Sequence, residues 1–431
     1  MYFVIENEEQ LSRLELSDEA FIQVIQANDR FHPKLSRPSL IYYNNSKKGY
    51  MFVISHSEGF SLDLKLVEGF LQQHKKLYLL DKKAHSYFLD LPNAIDVQFI
   101  YIDKHNEYNP FDCDTAVHRD FYIKWGNMPI LNEIIPITKH YERCQCLYNL
   151  VKDYFDLESN VALQNAFVEA YKKVEEVGIK VDLACFNKRF ELKQKECSLS
   201  GNTVYSWYNT YNLTGRPTNS FNGLNFLAIP KEQDFRECFV PGNDFLVEFD
   251  FDAYHLRLIC RLIGFEPPKE SFHNYLGRHY FGVEELTPDQ YKESKAITFK
   301  QLYGGIEAAY KDIDFFASLT EFIEKQWKLY RDQKALTLPT GRILRSLPGM
   351  NKLKLFNYIV QNLETMENIE KITAINALLE GKQTKLILIT YDSFLFDFSQ
   401  ADGKDLLKEI KARLESGGLV VKHRWGQNYA F

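Results

Sequence analysis

The sequence predicts a multi-domain α/β fold, and three observations carry that prediction. Apolar, aromatic-rich strands end on single carboxylates far apart in the chain: Phe245 to Phe249 runs into Asp250, and two strands, Lys385 to Thr390 and Phe394 to Phe398, flank Tyr391-Asp392-Ser393. Stretches with helical periodicity separate such strands along the chain. At 431 residues, with 45% hydrophobic and 15% aromatic content, there is material for two or three domains with substantial cores.

Several classes are excluded early. No run of eighteen apolar residues predicts a membrane span, and the first ten residues lack the basic region of a signal peptide. Seven cysteines without a CxxC pair point to buried thiols in a reducing, cytoplasmic compartment. Cys144 and Cys146 stand too close together for a structural zinc knuckle. The net charge of −6 hides a basic patch: Arg331 to Lys354 holds six Lys or Arg against one acid, Asp332.

In order along the chain, residues 1 to about 125 read as a small α/β unit. Phe21 to Gln26 is a strand, and Ser39 to Tyr43 with Tyr50 to Ser55 form a hairpin around Asn44 to Gly49. Leu64 to His74 is helical and Lys76 to Leu80 is a strand. Residues 126 to 160 read as mostly helical. Ala162 to Glu176 is a stronger helix, with Leu163, Phe167, Tyr171 and Val174 on one face and Gly178 placed to end it. A helical connector, Leu183 to Lys195, leads to a strand at Thr203 to Asn212, and 213 to 431 is continuous α/β. No repeat, low-complexity tract or Pro/Ser-rich linker interrupts the chain, so its domains should pack closely.

Three stretches carry chemistry. An aspartate ending a buried strand, as Asp250 does, can hold a metal ion or merely cap the helix predicted from His255. Asp392 is an ordinary turn aspartate or the second carboxylate of a metal pair. Lys292, Lys295, Phe299 and Tyr303 are spaced three, four and four apart, putting two cations and two aromatics on one helical face. Such a face suits triphosphate oxygens at one end and a base at the other, or else solvent and core. Gly304 and Gly305 then permit a break or hinge.

Taken together, the three stretches resemble family A DNA polymerases, the bacterial DNA polymerase I type. Asp250 to Arg257 resembles motif A, Lys295 to Gly304 motif B, and Tyr391-Asp392-Ser393 motif C. Further likenesses follow in the family's order: Thr214-Gly215-Arg216, His273 to Gly282, Thr337 to Arg342, Asn357 with Gln361, and Gly426 to Tyr429. The resemblance covers 200 to 431. It implies a right-hand polymerase with palm, fingers and a reduced thumb, preceded by a degenerate RNase H-like 3′–5′ exonuclease domain. The implied boundaries are 1–150 exonuclease-like, 151–212 reduced thumb and palm entry, 213–265 palm, 266–345 fingers and 346–431 palm.

The same resemblance implies a set of roles. Asp250 and Asp392, with the Phe251 carbonyl, would hold two Mg²⁺ ions, for which Mn²⁺ can substitute. Lys295 would neutralise the triphosphate and protonate the leaving group, and His273 and Lys292 would meet phosphates. Phe299, Tyr303 and His255 would contact the nucleotide. Arg216, Asn357, Gln361, Arg342 and Arg345 would face primer and template. The implied partners are primed DNA template, dNTPs and a processivity or replisome protein, with no membrane.

Departures from the family sharpen these expectations. Val24, Gln26, His85 and Gln145 stand where the exonuclease keeps its four acids, so proofreading should be absent. Only 31 residues separate Asp182 from Thr214, too few for a full thumb. His255 replaces the glutamate that blocks a ribose 2′-OH, and motif C carries Tyr391 and Ser393 for its His and Glu. This economy of length would suit a phage or another mobile element. Two alternatives stay open: relaxed template or sugar choice (reverse transcription, ribonucleotide use, untemplated extension), and a non-catalytic replication scaffold.

Overall fold

Runs of β-branched and aromatic residues between Glu19 and Val53 form the three longest strands of an N-terminal sheet: Glu19–Gln26, Pro38–Asn44 and Gly49–Val53. The structure, a computed structural model, describes residues 3–111, 113, 131–190, 198–219, 224–230 and 235–431. The sheet has six strands in the order Phe3–Ile5, Gly49–Val53, Pro38–Asn44, Glu19–Gln26, Lys76–Leu79, Ala94–Asp96. Its central pairs are antiparallel, including the expected hairpin, and Lys76–Leu79 and Ala94–Asp96 join in parallel. Alternate residues go to opposite faces. Ile22, Ile41 and Phe52 pack with Val67 and Phe70 of the Leu64–Leu71 helix, while Phe21, Tyr42 and Met51 pack with Cys144, Leu147 and Val151.

A second, fully antiparallel sheet has the order Lys385–Thr390, Ser393–Phe398, Phe245–Phe251, Val421–Gly426. The helices Val161–Val177 and Lys352–Leu378 contribute Phe167, Tyr171, Ile372 and Ile375 to the core it shares. Gly178 ends the first of them at φ 70°, in the left-handed region that favours glycine. A third body is helical. Tyr254–Ile263, Phe272–Phe281, Pro288–Gly304 and Asp314–Gln333 pack around Phe272, Leu276, Phe315 and Phe316. Among the described residues no helix is long and apolar enough to cross a membrane.

Several expectations need correction. The long strand at Thr203 to Asn212 is two short ones, Thr203–Val204 and Tyr208–Asn209, in different sheets. Its aromatics are drawn to separate neighbours: the buried Tyr208 hydroxyl donates to the Ile389 carbonyl, 3.0 Å away. Within 126 to 160 the main helix is Ile137–Val151, and residues 126–130 lie outside the described ones. The connector helix is Leu183–Arg189, with 191–195 likewise outside. Four cysteines are not thiols but form two disulfides, Cys113–Cys146 and Cys185–Cys238, with Cα separations of 6.1 and 5.3 Å. Each pairs residues more than thirty apart in sequence, a closeness that spacing alone does not reveal. Cys144 and Cys260 are buried thiols.

Candidate active site

The apolar alternation of Phe245–Phe251 carries this strand through the middle of the second sheet, between Ser393–Phe398 and Val421–Gly426. Asp250 pairs with Ser393 in register, and the Phe251 N–H donates to the Asp392 carbonyl at 2.8 Å. The tight turn at Tyr391, φ 56°, sets Asp392 beside the end of the central strand. Residues 142 apart in sequence thus meet at one sheet edge. Ala253, also left-handed at φ 53°, turns the chain into the Tyr254–Ile263 helix, so Asp250 does not cap that helix.

Above this edge lies a cavity of about 610 Å³. Asp250, Phe251, Asp392, His255, His273, Lys295, Phe299, Tyr303, Arg216, Asn357 and Gln361 all line it. Lys295, Phe299 and Tyr303 come from one face of the Pro288–Gly304 helix, where the Phe299 and Tyr303 rings lie 13° from parallel. Asn357 and Gln361 come from one face of Lys352–Leu378. His273 opens the neighbouring helix and is buried. Burial first, then the charge of Lys295, pulls its pKa down to about 4, and its buried Nδ1 has no hydrogen-bond partner among the described residues.

Three of the expected binding residues sit elsewhere. Lys292 is exposed, about a quarter-turn from the face that carries Lys295, and lines no part of the cavity. Arg342 is only 2% exposed; its guanidinium meets Asp103 at 2.9 Å and the Asn212 carbonyl at 2.7 Å. No duplex phosphate can reach it there. Arg345 is exposed but donates to the Asp103 carbonyl at 3.1 Å. The basic stretch is thus partly consumed in joining the Ala335–Thr337 and Ile343–Arg345 hairpin to the N-terminal Val97–His105 helix.

Other cavity residues escaped the sequence reading. Lys422 stands opposite Asp250 in register and forms an ion pair with Asp252. That pairing joins strands 172 residues apart, which no local pattern signals. Glu364 lies on the cavity wall, and it did leave a signal. Asn357, Gln361, Glu364 and Asn368, spaced four, three and four, lie along one face of the Lys352–Leu378 helix. Glu364 accepts from His255 Nε2 at 2.8 Å and from Arg216 Nε at 3.0 Å. The Arg216 guanidinium also rests 3.8 Å above the Tyr391 ring, and His255 Nδ1 meets the Tyr303 hydroxyl. Asn368 accepts from the Tyr254 hydroxyl at 2.7 Å and donates to the Tyr391 carbonyl at 2.9 Å.

The carboxylates fit a hard divalent cation. Two oxygen-bearing side chains at adjacent strand ends, beside a backbone carbonyl, match the sparse protein ligation that Mg²⁺ accepts when phosphates complete its shell. Among the described residues no three His, Cys, Asp or Glu side chains gather as an all-protein metal cage.

In the N-terminal sheet, Val24, Gln26 and His85 line a smaller cavity of about 190 Å³ with Asp29 and Asp81. His85 Nδ1 donates to the Asp81 carbonyl at 2.9 Å, leaving Nε2 to accept from the Val24 N–H at 2.9 Å. Burial holds the ring neutral by lowering its pKa. The Gln145 side-chain oxygen accepts from Tyr42 at 2.9 Å and Tyr141 at 3.1 Å.

No family model matches the chain. It is 24% identical over 277 residues to DNA polymerase I of Synechocystis sp., a stretch covering 50% of this chain and 28% of that protein. In fold it resembles the POL domain of Pol1 from M. smegmatis, solved in complex with DNA primer-template and dNTP. The TM-score is 0.71 at 14% identity, covering 100% of this chain and 99% of that one. In sequence over part of its length, and in fold over all of it, the chain is similar to these two DNA polymerases.

Proposed function

We propose that the protein is a template-directed DNA polymerase that adds deoxynucleotides to a primer 3′ end and lacks proofreading. One observation carries the reading: three sequence stretches, remote from one another, line a single cavity with two carboxylates, a lysine and two aromatic rings. Asp250, Asp392 and the Phe251 carbonyl would hold a pair of Mg²⁺ ions. When bound, these supply charge stabilisation to the attacking and leaving oxygens. Lys295 and His273 meet the triphosphate, and Lys295 hands a proton to the departing pyrophosphate. Lys422, paired with Asp252, adds a second lysine to the cavity. Phe299 and Tyr303 pack against the nucleotide, and Arg216, Asn357 and Gln361 face the nascent pair. In this reading 213–265 and 346–431 form the palm and 266–345 the fingers. Primer extension with Mg²⁺ on primed DNA, beside a primer-only control, tests it. Template-directed bands are expected; untemplated tails would favour relaxed extension, and silence a scaffold.

Two further results are expected. The protein should leave single-stranded and mismatched 3′ ends intact, because Val24, Gln26, His85 and Gln145 offer no carboxylate and His85 is committed at both ring nitrogens. Trimming of a labelled oligonucleotide that persists in Asp250→Asn would point to Asp29 or Asp81 as working ligands. Synthesis should also be distributive. A short thumb leaves fewer phosphate contacts, and Arg342 is not available to replace them. With a DNA trap present, products should extend only a few nucleotides, and lengthen when a processivity partner is supplied. Each phosphate contact adds about 0.9 to the slope of log affinity against log salt, so the slope should be shallow. Long products from the protein alone at physiological salt would refute the short-grip reading.

A further inference from the structure

Glu364 is a buried carboxylate, 1% exposed, on the wall of the cavity, and the proposed reaction gives it no task. Both groups that it holds line the cavity too. His255 belongs to the helix that follows the central strand, Arg216 to the loop before Thr218–Asn219, and Tyr303, reached through His255, to the Pro288–Gly304 helix. Glu364 is therefore the joint at which three separately placed segments meet.

The donor logic is narrow. A carboxylate only accepts, so the proton on the near side of His255 sits on Nε2. When the ring is neutral Nδ1 can then only accept, and the Tyr303 hydroxyl donates its hydrogen bond to it. Burial and the negative charge of Glu364 hold that hydroxyl well above its ordinary pKa, so it stays a donor. With its hydroxyl turned to His255, Tyr303 offers the cavity its ring rather than a polar tip. On the other side, Glu364 aligns the Arg216 guanidinium over Tyr391, next to Asp392.

We infer that Glu364 is a positioning residue that sets the sugar-side wall of the nucleotide pocket through His255 and Tyr303, and couples that wall to the primer side through Arg216. This rests on the polymerase reading of the cavity. A purely structural ion pair would act on stability alone; the chain from Glu364 to Tyr303 predicts an effect on which sugar is accepted.

The test uses full-length Glu364→Gln and Glu364→Ala. It compares kcat and KM for matched deoxy- and ribonucleotides, primer–template affinity, and thermal melting. The glutamine keeps an oxygen that accepts from His255 but loses the charge that holds Arg216. Glu364→Gln should therefore keep the ribo-to-deoxy ratio within about threefold of wild type while primer–template binding weakens by at least about threefold. Glu364→Ala should also raise KM for the deoxynucleotide by about tenfold, with a smaller loss in kcat, and raise the ribo-to-deoxy ratio by at least about fivefold. A stable Glu364→Ala with wild-type KM and ratio overturns the inference. Should the alanine variant fail to fold, Glu364→Gln decides alone: weakened primer binding with sugar choice kept supports it, and equal loss of both overturns it. A wild-type protein silent on primed DNA overturns the polymerase reading and this inference together; an active wild type with unmoved variants overturns only the inference.

Discussion

Replacing Asp250 or Asp392 with asparagine is expected to lower nucleotide addition by at least about a thousandfold, some 4 kcal/mol of lost transition-state stabilisation. Asp250 lies on the central strand and Asp392 in the turn that leads into its neighbour, joined by the Phe251 N–H to Asp392 carbonyl bond. Asparagine preserves volume and strand pairing but removes a charge that would draw a divalent cation into the cavity. Melting temperature should therefore stay within a few degrees of wild type while extension disappears. Steady-state kinetics on primed DNA, with melting as control, measure both. Extension near the wild-type rate by either variant would mean that the metal site lies elsewhere.

Sugar choice should change nearly as clearly. His255→Ala is expected to raise ribonucleotide relative to deoxynucleotide incorporation by at least about tenfold, roughly 1.4 kcal/mol of discrimination. The ring is held at both nitrogens, by Tyr303 and by Glu364, so it is a fixed wall and not a swinging side chain. Its neighbour Tyr254 is the other candidate for a steric block. That ring is buried, stacked on Phe251 at 4.3 Å, with its hydroxyl given to Asn368. Tyr254→Phe should leave the ratio unchanged. The opposite pattern, in kcat/KM for matched nucleotides, would move the gate to Tyr254.

How much of this was legible beforehand follows from the range of the interactions. The strands around Asp250 and Asp392 and the helix after Asp250 are written in local periodicity, and the structure forms them within a residue or two. The helix that carries Lys295 instead begins at Pro288, ahead of the stretch read from Lys292. Lys292 was misread because spacings of three and four drift around a helix; Lys295, Phe299 and Tyr303 define the cavity face, and Lys292 falls off it. Arg342 was misread because a cluster of cations says nothing about which of them a distant acid such as Asp103 will claim. Lys422 and the two disulfides depend on pairings across long stretches of chain, which have no local signature. Glu364 was readable but passed over, since a carboxylate three residues beyond Gln361 resembles any polar helix position until its partners arrive from other segments.

The Arg342–Asp103 contact has a consequence for anyone wishing to shorten this protein. A front segment that does not line the large cavity looks dispensable, and trimming it would be the obvious route to a minimal version. Yet that segment supplies the counter-charge to a buried guanidinium, and at a second seam its Lys83 reaches the buried Glu175 at 2.5 Å while resting against the Trp207 ring. Cutting the chain near residue 150 would strand Arg342 and Glu175 together, and each orphaned buried charge costs about 3–5 kcal/mol, comparable to the whole margin that keeps a domain folded. The front third is thus a keystone that cannot be removed unless both seams are rebuilt with apolar residues first.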